Sequence, residues 1–111
     1  FADAVVTGQS TIAVDAAAFD KPAIIAAFDH EPRVYWDSVF RYFDYEYYKK
    51  FRERSGIRMA KNPQELRELV ARYLKNPHWD NVVRERIVQD QLYQFDGKAS
   101  ERLAGIITKA L

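Results

Sequence analysis

The sequence predicts an α/β fold: a short parallel sheet of about three strands, flanked by helices and closed by a helical C-terminus. Two observations point there. The first is a strand–helix–strand alternation over residues 4–28, where two apolar runs bracket an Ala-rich helical pattern. So short a crossover forces the two strands to lie parallel, with the right-handed connection such units adopt. The second is a change of period after residue 60, from continuous apolar runs to spacings of three and four, the mark of amphipathic helices.

Each element has its own local reason. Ala4–Thr7 is apolar and β-branched throughout, as befits a strand covered on both faces. Thr11 to Phe19 holds Ile12, Ala13, Val14, Ala16, Ala17, Ala18 and Phe19 around a single charge, Asp15, so this helix is expected to be buried nearly all round. Asp20-Lys21-Pro22 makes the turn, and Ala23–Phe28 is the second strand. Gly56–Ala60 reads as a third, with Ile57 and Met59 on one face. Asn62-Pro63-Gln64-Glu65 is a helix start, with Asn62 as N-cap, Pro63 first in the helix and Glu65 closing a capping box. Leu66, Leu69, Val70, Tyr73 and Leu74 follow at helical spacing until Asn76-Pro77 stops it. A further helix is expected from Trp79 to Tyr93, with Val82, Val83, Ile87 and Val88 inward and Arg84, Glu85, Arg86 and Asp90 solvated. Lys98 to Leu111 closes the chain as a helix with Leu103, Ala104, Ile107 and Leu111 inward.

Bulk properties exclude several classes. At 111 residues the chain is a single domain, and 48% hydrophobic with 30% charged residues is an ordinary globular balance. Cysteine is absent, which removes disulfides and thiol chemistry, and with only His30 and His78 no metal site is expected. No apolar run reaches the roughly 20 residues that span a bilayer. The chain opens at Phe1 almost directly on a buried-type strand. The expectation is a C-terminal piece of a longer protein, with a preceding half as partner and, for the piece alone, a tendency to dimerise.

Between Arg33 and Arg54 the chain is unusual. Tyr35, Trp36, Phe40, Tyr42, Phe43, Tyr45, Tyr47, Tyr48 and Phe51 account for nine of its sixteen aromatics, interleaved with Arg33, Arg41, Lys49, Lys50, Arg52 and Arg54. Packing over the sheet is the first expectation for such residues, and contact with a membrane interface through 33–54 the second. Nucleic acid ranks third and is not expected, because Asp37, Asp44, Glu46 and Glu53 dilute the positive field.

Candidate binding residues follow from the βαβ unit. Gly8-Gln9-Ser10-Thr11 joins the first strand to its helix, where free backbone N–H groups and the dipole suit a phosphate, although Ser and Thr also cap ordinary helices. In a parallel sheet the carboxyl ends of the strands share a rim, so Asp29, His30 and Glu31 belong beside that loop. Asp15 is either an acid favoured by the helix dipole or a ligand contact.

Val6-Thr7-Gly8-Gln9-Ser10-Thr11, then Asp15, then Asp20-Lys21-Pro22-Ala23-Ile24-Ile25 and Phe28-Asp29, resembles the C-terminal half of CDP-glycerol glycerophosphotransferases. That family shows a Thr-Asp-x-Ser-Ser turn, an acid four to five residues later, a Lys/Arg-Pro turn, an apolar strand and a terminal Asp. Here Gly8 stands where the turn has its acid, and Asp96-Gly97-Lys98-Ala99-Ser100-Glu101-Arg102 is similar to the family's closing segment. Wider relatives are GT-B glycosyltransferases and UDP-GlcNAc 2-epimerases.

The resemblance implies half of a Rossmann-like, GT-B C-terminal domain that holds a CDP- or UDP-linked donor without metal or other cofactor. Gly8, Gln9, Ser10 and Thr11 would bind the donor phosphate; Asp15, Asp29, His30 and Glu31 would meet its ribose or sugar. The parent enzyme would transfer a glycosyl or glycerol-phosphate group to a cell-surface polymer from the cytoplasm, at the inner face of the membrane. The acceptor site and the catalytic base would lie in the preceding half, leaving this piece alone inactive. A sugar-nucleotide epimerase of the same shape and a non-catalytic interaction module are the alternatives.

Overall fold

The computed structural model describes residues 2–111; Phe1 lies outside them. Three strands, β1 (Val5–Thr7), β2 (Ala23–Ala26) and β3 (Arg58–Ala60), form one parallel sheet in that order. Val5 pairs with Ala23 and Thr7 with Ile25, while Ile24 pairs with Arg58 and Ala26 with Ala60. The helices are α1 (Ile12–Ala18), α2 (Phe40–Phe43), α3 (Glu46–Ser55), α4 (Pro63–Lys75), α5 (Asn81–Leu92) and α6 (Ala99–Ala110), with a 3₁₀ turn at Tyr35–Asp37. The α/β class, the parallel sheet and the helical C-terminus expected from the sequence are all present.

Side-chain alternation divides the core in two. Ala23, Ile25, Ala27 and Ile57 face one side, against Ala13, Val14, Ala16 and Ala17 of α1, Phe43 of α2, Phe51 of α3 and Ile87 of α5. Ile24 and Ala60 face the other, against Tyr73 of α4, with Leu66, Leu69, Val70 and Trp79 around them. The sheet is therefore sandwiched between helices, and β2 lies at its centre.

Several expectations of burial are corrected. β1 is an edge strand of this sheet, not one covered on both faces, and Val6 is 48% exposed, because α4 packs on β2 and β3 only. In α1 one side is buried, but Ile12 and, just past the helix end, Phe19 stand in solvent, Phe19 at 73%. Leu103, Ala104, Ile107 and Leu111 are exposed as well, since α6 buries none of its residues. Of the central aromatics only Phe43 and Phe51 are fully buried.

Arg84 is the sharpest reversal. Expected on a solvated face, it is 4% exposed. Its Nε donates to Asp20 Oδ1 at 2.6 Å, and its two terminal nitrogens donate to the Trp79 and Pro77 carbonyls at 3.2 and 3.1 Å. A planar fork can satisfy three acceptors at once, so the α1–β2 turn and the α4–α5 turn are pinned together through one side chain.

The start of α4 also differs in detail. Asn62 Oδ1 accepts from the Glu65 amide as a cap should, but the Glu65 carboxylate reaches back to the Lys61 amide instead of that of Asn62. Gly56 is not strand but the left-handed residue that ends α3, at φ +71°.

Candidate functional site at the carboxyl rim of the sheet

Because the sheet is parallel, the chain leaves β1 at Thr7 and β2 at Ala26 on the same side. The loop 8–11 and the segment 27–31 therefore share a rim, as expected. What joins them is a third piece of chain that sequence reasoning did not single out, Ser38-Val39 at the start of α2.

Asp29 accepts from the Ser38 hydroxyl at 2.6 Å and from the Val39 amide at 2.9 Å, so both carboxylate oxygens are committed. Ser38 is buried, and its Oγ in turn accepts from the Phe40 amide at 3.1 Å. From the loop side, the Gln9 side-chain Nε2 donates to the Val39 carbonyl at 3.0 Å. Residues 38–39 thus form a strap laid over the rim, held by Gln9 on one side and Asp29 on the other. The Ser38 hydroxyl, then the Val39 amide, stabilise the charged form of Asp29 and hold its pKa below the ordinary 3.8, with Arg33 adding a smaller pull.

The remaining candidates separate into those on this rim and those elsewhere. Ser10 caps α1, its Oγ accepting from the Ile12 amide at 3.3 Å. Thr11 sits at the N-cap but its hydroxyl makes no capping bond. Gly8 is exposed, with nothing within 4 Å of where a Cβ would sit. His30 is exposed, and Glu31 pairs loosely with Arg33 at 3.6 Å. Asp15 lies exposed on α1, its backbone N–H bonded to the Thr11 carbonyl at 3.3 Å, beside a hollow lined by Val5, Ile12 and Phe19. Among the described residues no cluster of His, Cys, Asp or Glu is arranged to hold a metal ion.

A second concavity opens beyond the strap. It measures about 630 Å³ and lies between the 31–37 loop and the first turn of α2. Glu31, Arg33, Trp36, Asp37, Arg41 and Tyr42 line it. The density of aromatics and arginines between residues 33 and 42 was the only signal of it in the sequence.

Chemically, the rim offers the backbone N–H groups of residues 8–11 and a Thr11 hydroxyl that makes no capping bond, with a rigid acidic clamp behind them; the Ile12, Ala13 and Val14 amides are already taken by Ser10 and Thr11. Such a surface can receive an anion and stabilise charge developing on it. No described helix is long and apolar enough to cross a membrane.

The sequence model of the family described as CDP-Glycerol:Poly(glycerophosphate) glycerophosphotransferase matches residues 1–109, and the chain belongs to that family. No curated protein and no solved structure matches it.

Proposed function

We propose that this member of the glycerophosphotransferase family forms the donor-nucleotide side of a transferase. It would hold CDP-glycerol while glycerol phosphate passes to a poly(glycerophosphate) chain. The observation that carries the reading is the junction at Val39, where the Gly8–Thr11 loop and Asp29 are locked together above the carboxyl ends of two parallel strands. That is where α/β sheets receive nucleotides.

In the reaction a hydroxyl of the acceptor attacks the phosphorus bearing glycerol. The bond to the bridging oxygen breaks and CMP leaves with the negative charge. Backbone N–H groups of residues 8–11, with the hydroxyls of Ser10 and Thr11, are suited to stabilise that charge without a metal. Asp29 acts as a positioning residue, because each of its oxygens already holds the strap, one through Ser38 and one through Val39. His30, exposed at the end of the same segment, is free to meet the donor. Nothing on this chain is assigned as the base.

The test is a titration with CMP, CDP, UMP and UDP followed by amide NMR. Shifts confined to residues 8–11 and 29–31, with cytidine preferred, are the expected result. A preference for uridine would redirect the reading to a glycosyltransferase or epimerase. Silence with all four nucleotides would leave the loop as a helix cap only.

The reading extends to location at the inner face of the membrane. Phe40, Tyr45 and Tyr47 project into solvent alongside Lys49 and Lys50, a mixture suited to a headgroup interface. With each lysine near an anionic surface worth about 1 kcal/mol, replacing both by Gln should lower flotation with anionic vesicles severalfold. No flotation by the unaltered protein would remove this part of the reading.

A further inference from the structure

The cleft beyond the strap has a composition that the donor reading does not use. Trp36 presents an apolar face at 71% exposure, held at a steep 77° against Tyr35, whose hydroxyl is anchored on Asp44 at 2.7 Å. Across from it Arg41 stacks over the Tyr42 ring, 4.4 Å from its centroid, and hydrogen-bonds the Tyr42 hydroxyl. Arg41 forms no ion pair among the described residues, and its buried Nε has no hydrogen-bond partner there. Arg33 has only the loose contact with Glu31. Asp37, like Arg41, is without an ion pair among the described residues.

Two guanidinium groups and two carboxylates leave the cleft without net charge. That balance does not suit a continuous polyanion such as a nucleic acid strand. It suits a ligand in which phosphate and hydroxyl groups alternate. Guanidinium donors take phosphate oxygens, carboxylates accept from hydroxyls, and an aromatic face packs against the carbon backbone between them. A glycerol-phosphate repeat has this alternation.

We propose that the cleft lined by Glu31, Arg33, Trp36, Asp37, Arg41 and Tyr42 is the seat of the acceptor, a glycerol-phosphate chain. The assignment rests on the transferase reading above and adds the place of its second substrate. Position supports it: the strap Ser38-Val39 runs directly from the Trp36 side of the cleft to the Arg41 side, and hydrogen bonds tie it to Gln9 and Asp29. The cleft therefore adjoins the donor loop across two residues of chain, as an acceptor hydroxyl that must reach the donor phosphorus requires.

The test uses the full 111-residue chain, with glycerophosphoglycerol as a one-repeat probe and CMP as the donor-side probe, both followed by amide and indole NMR. Glycerophosphoglycerol is expected to shift residues 33, 36, 41 and 42, including the Trp36 indole. Arg41→Gln and Trp36→Ala should each weaken that binding fivefold or more while leaving the CMP response at residues 8–11 unchanged. Arg33→Gln serves in place of any variant that fails to melt cooperatively. The proposal is overturned if glycerophosphoglycerol leaves the cleft unmoved, if inorganic phosphate reproduces its whole shift pattern, if CMP occupies the cleft, or if Trp36→Ala changes vesicle binding alone. Silence of residues 8–11 toward CMP sinks the donor reading separately, so the two failures are told apart.

Discussion

Gln9 and Asp29 hold Val39 from two sides: the Gln9 side-chain Nε2 donates to its carbonyl at 3.0 Å, and the Asp29 carboxylate accepts from its N–H at 2.9 Å. The first βα loop and the end of the second strand are thereby made into one rigid unit.

Removing that grip has a defined consequence. Asp29→Ala should free the strap, speed exchange of the Val39 amide, and weaken nucleotide binding at residues 8–11 roughly tenfold through lost preorganisation. The same grip is pH-dependent. With the folded pKa depressed below 3.8, its stabilisation is whole above that pH and is lost as the pH falls through the depressed value. The Val39 amide shift, followed from pH 6 downward, should stay flat until below about 3.8. A transition centred above that value would contradict the assignment.

Arg84 should behave as a structural clamp. Arg84→Leu leaves Asp20 and two carbonyls without their donor, at a cost of roughly 2 kcal/mol, since Asp20 is itself largely solvated. Arg84→Lys keeps the charge but cannot reach three acceptors, and should recover less than half of the loss. Urea unfolding of the two variants measures both values.

Core and surface leucine-type residues should separate cleanly. Ile87→Ala opens a hole in the larger core, where Ile87 is almost wholly buried, and should cost about 2–5 kcal/mol. Leu103→Ala, on the solvent-facing α6, should stay within about 0.5 kcal/mol. A large loss at Leu103 would mean that α6 is covered in solution.

Tyr73 reports on the smaller core. Burial first, then the Asp80 carboxylate that its hydroxyl bonds at 3.1 Å, push its pKa up to about 12. A raised folded value means that its contribution is full below pH 10 and is lost as the pH rises from there toward 12. Ultraviolet titration should show a late tyrosine ionisation, and Tyr73→Phe should abolish that late step at a stability cost of about 1 kcal/mol.

Much of the architecture was legible in the residues because it is local. The apolar runs at 4–7 and 23–28, the Asn62-Pro63 start and the Gly-bounded turns act through backbone preference and side-chain period, which the chain carries whatever surrounds it. The rim could be placed too, since a parallel sheet puts both carboxyl ends together. Burial was less legible. Ile12, Phe19 and Leu103 look like core residues in composition, yet what covers a face depends on which elements reach it, and among the described residues none covers these. Arg84 reads as a surface cation and is buried, because its acceptors come from two turns distant in the chain. The tertiary structure alone decided that Asp29 engages Ser38 and Val39, one through each carboxylate oxygen. Hydrogen bonds across nine or more residues carry no sequence period, so only the folded chain brings their partners into reach.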